Sequence, residues 1–162
     1  MAAARRGDEE AFAELYRRFG RAVHGIIAAR LPIDEVADLV QEVFLQAWTR
    51  LRELRDDRAF PGWICMIARR RAADHYRRRH TFEPLPAGLM APDRPDVSAE
   101  ARGAIAAIHE MPMAYRETLA LRLIEGLSGP EIALVTGLTA ASVRVNLHRG
   151  FRLLRERLGV TP

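Results

Sequence analysis

The sequence predicts an all-α protein built as two small helical domains joined by a Pro-rich linker, the second a helix-turn-helix domain. Three observations predict it. Apolar residues recur at three- and four-residue spacing along most of the chain, and no stretch alternates apolar and polar for long. Pro84, Pro86, Pro92 and Pro95 crowd one segment at a density that forbids regular helix. Positive charge sits in two islands: six Arg against one acid over residues 61–80, and five Arg against one acid over 140–162. Between them residues 81–100 carry a net −3. The boundaries that follow are a first domain over 1–80, a flexible linker over 81–98 and a second domain over 99–162. Two basic islands separated by an acidic linker point to a chain that grips nucleic acid at two places.

The first helix runs from about Asp8 to Ala29, with Phe12, Leu15, Tyr16, Phe19, Val23, Ile26 and Ile27 on one stripe. Pro32 breaks it. Asp34 is the expected N-cap of a second helix over about 35–53. A third starts near Gly62 and runs to about Arg79. Helices resume at about Ala99 and continue to Leu158, interrupted near Pro112, Gly126 and Gly137.

The second helix places Val36, Leu39, Val40, Val43, Phe44, Ala47 and Trp48 on an apolar stripe and Asp38, Gln41, Glu42 and Thr49 opposite it. At 100° per residue Leu45 falls in the middle of that polar face. An apolar side chain ringed by acids and amides has the make-up of a small interface with a polar rim. It is equally the make-up of a solitary exposed leucine with no role.

Ser128 and Glu131 are spaced as a capping box, so a helix begins there. Ile132, Ala133 and Val135 supply its apolar face. Thr136-Gly137-Leu138 makes a tight turn and Thr139 caps the next helix. In that helix Val143, Leu147, Phe151, Leu154 and Leu158 point to the core. Ala141, Ser142, Val145, Arg149 and Arg152 face away, with Arg144 and His148 on the flank. This is the layout of a recognition helix in a DNA major groove, where Arg144 or Arg149 can read guanine edges and Val145 a thymine methyl.

The third helix opens with Phe60, Pro61, Gly62 and Trp63 and closes with Tyr76 and Arg77-Arg78-Arg79. Its first half, Trp63 to Ala68, is apolar almost all round and reads as buried, Trp63 included. Its basic second half reads as a phosphate-contacting surface, and aromatics beside such a groove can stack on unpaired or extruded bases.

These pieces resemble, over nearly the whole chain, the extracytoplasmic-function (ECF) sigma factors of bacterial RNA polymerase, group 4 of the sigma-70 family. Gly7-Asp8-Glu9-Glu10-Ala11-Phe12 with Leu15-Tyr16 is similar to the family's opening helix. Asp38-Leu39-Val40-Gln41-Glu42-Val43-Phe44 with Ala47-Trp48 is similar to its most characteristic motif. Trp63-Ile64, Ile67-Ala68-Arg69 and Asp74 with the Arg run resemble the promoter-melting helix. Gly126-Leu127-Ser128, Glu131-Ile132-Ala133 and Gly137-Leu138-Thr139 resemble the second domain. The order and spacing of the motifs together carry the likeness.

The resemblance implies a promoter-specificity subunit, not an enzyme, that directs the polymerase core to a promoter set in response to an environmental or envelope signal. It implies docking of the second helix on the clamp helices of the largest polymerase subunit through Asp38, Gln41, Glu42, Leu45 and Thr49, and contact of the second domain with the flap of the second subunit. It implies minus-ten DNA contacts by Arg58, Phe60, Trp63, Arg70, Arg77 and Arg78, with the segment from about Leu54 to Pro61 capturing a flipped base. Minus-thirty-five contacts fall to Ser142, Arg144, Val145, His148, Arg149 and Arg152. The acidic linker would thread into the polymerase channel, and an anti-sigma factor is an implied partner. Two departures stand out: Arg70 occupies a position where the family usually has Asn, and Val145-Asn146 stand where Ser and Arg are common.

Other classes fit less well. A stand-alone helix-turn-helix regulator would bind duplex DNA specifically without polymerase. An enzyme or metal site lacks its residues: His24, His75, His80, His109 and His148 are scattered without ligand spacing. Cys65 is the lone cysteine, placed in an apolar helix where thiols are inert. No cofactor or metal is expected. No apolar run reaches the ~18 residues of a membrane span and no signal peptide is legible, which predicts a cytoplasmic protein without membrane insertion. Every basic residue is Arg, which suits phosphate and guanine recognition; a GC-rich coding bias would give the same composition.

Overall fold

Asp8 starts the fold's longest early helix: its carboxylate accepts from the Ala11 backbone N–H at 2.9 Å, with Glu9 and Glu10 in the first turn complementing the helix dipole. In the computed structural model, which describes residues 1–81 and 99–160, this helix is α2 (Glu9–Ala28), preceded by a single turn, α1 (Ala2–Arg5). It is followed by α3 (Ile33–Arg50), two 3-10 turns (Leu51–Glu53 and Asp57–Ala59) and α4 (Phe60–Thr81). Side chains are described for residues 1–78 and 103–160. The linker expected over 81–98 lies outside the described residues, apart from Thr81, which closes α4. Beyond it come α5 (Ala99–His109), α6 (Met113–Leu123), α7 (Gly129–Thr136) and α8 (Ala140–Leu158), and no strand occurs among the described residues.

The all-helical expectation holds, and the helices fall within a few residues of their predicted spans. One cap does not. Pro32, not Asp34, is the N-cap of α3, and no side chain caps it. Pro lacks the N–H that a helix start leaves unpaired and presets the entry angle, so Asp34 is left in the first turn as a dipole partner.

Helices α2, α3 and α4 pack on one another to form a first lobe. Val23, Ile26, Ile27, Val36, Val43, Phe44, Phe60 and Ile64 are all but sealed from solvent there. Each such side chain contributes about 1.5–3 kcal/mol of apolar burial. Phe12 lies edge-on to both Phe44 and Trp48, closing the end of the α2–α3 seam.

Helices α5 to α8 form a second lobe around Ile108, Met111, Leu119 and Leu154. The helix-turn-helix is built as its sequence dictates. Ser128 and Glu131 form the reciprocal capping box, Gly137 takes a left-handed φ of 76°, and Thr139 caps α8. Gly150 on α8 sits directly over Leu119 of α6; a Cβ there would meet Leu119 carbons at 3.1 Å, so the bare hydrogen lets the helices seat without displacing the Leu119 side chain.

The lobes are not free of each other. Helix α6 packs across α2, and α7 across α4, so Leu121, Leu127, Ile132, Val135 and Val143 join the same contiguous core as the first lobe. A Pro-rich tether alone predicts no fixed arrangement. The arrangement comes instead from close contact across the junction, where Gly25 lies against Leu121 and Glu125 and the Ala28 carbonyl meets His109.

Candidate nucleic-acid interface

Helix α8 presents one wet face. Val143, Gly150 and Leu154 are buried and Leu147 and Phe151 half-buried, while Ala141, Arg144, Val145, His148, Arg149 and Arg152 are exposed. Ser142 is half-buried: its backbone N–H donates to Thr139 Oγ1 at 3.1 Å and its hydroxyl lies 2.9 Å from the same atom. That exchange fixes the helix start, so Ser142 serves the cap. Arg144 and Arg149 make no ion pair among the described residues, which leaves both guanidiniums available to a duplex. Arg152 has Glu156 at 3.6 Å, one turn on. Leu158, expected in the core, is largely exposed in the last turn.

Helix α4 has a stripe of exposed residues at Gly62, Met66, Arg70, Ala73 and Arg77, with Arg78 alongside. Arg77 pairs with Asp74 one turn back. The side chain of Arg79, expected to join the basic end, lies outside the described residues. Arg58 is exposed in the 3-10 turn before α4, its backbone N–H donating to Asp56 at 2.9 Å. Arg5 of α1 pairs with Asp57 and ties that turn to the N-terminus.

Phe60 requires a correction. It is 1% exposed, its ring 5.2 Å from Phe19 and 5.9 Å from Trp63, so it is a core residue and offers no surface to a base. Aromatic residues beside a basic helix read alike in sequence whether they face water or core; here the first turn of α4 enters the lobe interior. Trp63 is half-buried and tilted against Phe60.

On α3 the face opposite the core is as expected. Asp38, Gln41, Glu42, Leu45 and Thr49 are all exposed, and Leu45 is 65% exposed. Thr49 Oγ1 donates to the Gln46 carbonyl at 2.9 Å. Glu42 lies 3.7 Å from Arg71 of α4, so one edge of the acidic face is already met by a cation.

The group that sequence reasoning missed lies between the lobes. Glu117 of α6, 8% exposed, accepts from Arg30 Nη2 at 2.6 Å and from Arg69 Nη2 at 2.6 Å and Nε at 3.2 Å. Burial works to raise its pKa, but the Arg69 hydrogen bond and the two guanidinium charges outweigh it and hold the carboxyl below the usual range. Burial likewise works against the charge on Arg69, yet Glu117 holds its pKa above the ordinary value. His24 Nδ1 lies 2.5 Å from Glu125 Oε1, and the His109 ring donates from Nε2 to the Ala28 carbonyl at 2.8 Å. Burial lowers the pKa of His109 against that backbone bond, with Arg116 adding to the lowering. A groove of about 440 Å³ opens at this junction between Tyr16, Gly20, His24, Val40, Ile124 and Glu125. These residues are 48 to 101 positions apart, so no local spacing announces them; the all-round apolar start of α4 was the one available signal. Cys65, sealed beneath the junction, has its thiol pushed up to about 12 by burial, which leaves it unreactive. No cluster of three metal-ligating side chains occurs among the described residues, nor any helix long and apolar enough to cross a membrane.

Comparison with known proteins bears on these surfaces. Residues 15–81 match the Sigma-70 region 2 family and residues 102–154 the Sigma-70 region 4 family. The chain is 31% identical to the RNA polymerase sigma factor CarQ of Myxococcus xanthus, over 96% of this chain and 93% of that protein. It is also 31% identical to the ECF RNA polymerase sigma factor SigF of Caulobacter vibrioides, over 76% of this chain and 71% of that one. Among solved structures it resembles CnrH in complex with the cytosolic domain of CnrY, at 28% identity and a TM-score of 0.66, covering 99% of this chain and 96% of that one. Two sigma-70 domains in order, on two helical lobes that each carry an exposed basic helix, make this chain a member of the ECF RNA polymerase sigma factors.

Proposed function

We propose that the chain acts as the promoter-specificity subunit of RNA polymerase through three separate surfaces. The acidic face of α3 docks on the clamp helices of the polymerase core, with Leu45 as its apolar centre and Asp38, Gln41, Glu42 and Thr49 as the rim. The exposed stripe of α4, with Arg58 and the half-buried Trp63, holds the minus-ten region, where trapping an extruded base offsets part of the unstacking cost. The outward face of α8 reads the minus-thirty-five element through Arg144, Val145, His148, Arg149 and Arg152, each base contact contributing about 1–3 kcal/mol of discrimination. The observation that carries this reading is the pair of exposed arginine faces, α4 and α8, on lobes that match regions 2 and 4.

The protein is not an enzyme on this reading: its side chains select and hold DNA, and the polymerase performs the synthesis. It works in the cytoplasm beside the polymerase. An anti-sigma partner is part of the proposal, supported by CnrH, which was solved bound to the cytosolic domain of CnrY. Transcription in vitro from a genomic library with purified core enzyme tests the function. Initiation at defined start sites that requires this protein is the expected result. Specific duplex binding by the free protein, unchanged by core, would favour a stand-alone regulator instead.

A further inference from the structure

The closed arrangement of the lobes cannot itself bridge a promoter. The minus-ten and minus-thirty-five elements lie about 25 base pairs apart, about 85 Å of duplex at 3.4 Å per pair. A compact chain of this length has a radius of gyration of about 15 Å. The lobes must therefore separate before both basic helices engage one promoter, and separation uncovers whatever the junction holds.

What it holds is a carboxylate on two guanidiniums. Arg69 lies on α4 at the border of the exposed stripe, one position from Arg70 and two turns before Arg77. It differs from those neighbours in being gripped by Glu117 through both Nε and Nη2. A fork of parallel N–H donors accepts a carboxylate and a phosphate with the same geometry. Arg30, the second donor to Glu117, sits in the turn just past α2, is anchored by Nη1 to the Ile26 carbonyl in the last turn of that helix, and stays with the first lobe.

We propose that Glu117 is an internal stand-in for a DNA phosphate: in the closed chain it occupies Arg69, and when the lobes part Arg69 joins Arg70 and Arg77 as a phosphate-binding cation on α4. Lobe closure and DNA then compete for one guanidinium, so the second lobe masks the first lobe's DNA site without covering its other arginines. The inference rests on the sigma-factor reading for its DNA ligand, but its test uses no transcription.

The test uses the full chain with Glu117→Gln, Arg69→Ala and the double variant. Three quantities are measured: the radius of gyration by small-angle scattering, the rate of Cys65 modification by a disulfide reagent, and affinity for a forked DNA duplex across a salt series. Cys65 lies one helical turn before Arg69 on the same side of α4, so its thiol reports uncovering of that face. Glu117→Gln should enlarge the particle, speed Cys65 modification at least about ten-fold, and steepen the slope of log affinity against log salt by ~1, the value for one added phosphate contact. Adding Arg69→Ala should return the slope to that of wild type while the lobes stay open. Gly25→Ala, which opens the junction by steric means and keeps both charges, should reproduce the steeper slope if Glu117→Gln perturbs the fold.

Open lobes with an unchanged salt slope would overturn the proposal and leave Arg69 to a protein partner. A protected Cys65 and an unchanged radius in both opening variants would overturn it as well, since Glu117 would then not govern closure. A chain that shows these shifts yet never directs polymerase would sink the sigma-factor reading alone.

Discussion

Gly25 faces Leu121 across the lobe junction with no room to spare. A Cβ on Gly25 would come within 2.9 Å of Leu121 Cδ2 and 2.8 Å of Glu125 Cγ. Leu121 is fully buried and Glu125 is drawn to His24, so making room would disturb the Leu121 packing or pull Glu125 off His24. Gly25→Ala should therefore loosen the lobes while α2, which gains helix propensity by the change, stays intact. Overpacking of this kind typically costs about 1–3 kcal/mol. Faster hydrogen exchange confined to α6, α7 and the facing turns of α2 and α4 is the expected signature; protection equal to wild type would show the junction to be more plastic than its spacing indicates.

Leu45→Asp should weaken binding to core polymerase without lowering thermal stability. The side chain is 65% exposed and touches no core, so its removal leaves the lobe's packing unchanged. A central apolar anchor at a protein interface typically costs about 2 kcal/mol or more when lost. Titration of labelled protein against purified core reads the effect directly, and equal affinity for the variant would remove α3 from the docking surface.

Arg149→Ala should cost about 1–3 kcal/mol at the upstream element, with specificity relaxed at a single base pair, if the guanidinium reads a base edge. Binding of the isolated protein or its complex with core to a panel of single-base promoter variants decides this. A uniform loss over the whole panel would assign Arg149 to the backbone.

Acid should open the junction in two stages. His109 has its pKa held below the ordinary 6.5 in the closed form, where its neighbours are the Ala28 carbonyl and Arg116. Its contribution is complete above that value and is lost as pH falls through the closed-state pKa, because the open form then takes up the proton the closed form refuses. Glu117 has its carboxyl held below the ordinary 4.5, so its contribution survives the first stage and disappears only at lower pH, as the carboxyl protonates. Small-angle scattering from about pH 8 to about pH 3 should show expansion beginning below neutrality and a second stage below 4.5, and His109→Gln should flatten the first stage alone.

Several helices were legible because they announce themselves locally. Asp8, Ser128 with Glu131, and Thr139 cap where they stand in sequence, and Gly137 takes the one backbone conformation its turn requires. The polar face of α3 and the outward face of α8 follow from a 100° rotation per residue. Two features escaped. Phe60 and Trp63 look alike as aromatics before a basic helix, and only the entry angle of α4 puts Phe60 into the core. The Arg30–Glu117–Arg69 contact joins two helices and the turn that follows a third, and a charge buried by a distant partner leaves no periodic trace. The run from Trp63 to Ala68 was its indirect sign: Ile64, Cys65, Ile67 and Ala68 are buried among α2, α3 and α7, whereas Met66, read as buried with them, is 56% exposed on the outer stripe.

Gly150 separates two duties within α8. Because the single hydrogen at that position lets the helix seat directly on Leu119, its height over α6 is set on the inward side. The outward residues from Arg144 to Arg149 carry no share of that seating. On the proposed reading, exchanges among them would retarget the protein to a different upstream element while the mount stays where it is, a fixed socket for an interchangeable key.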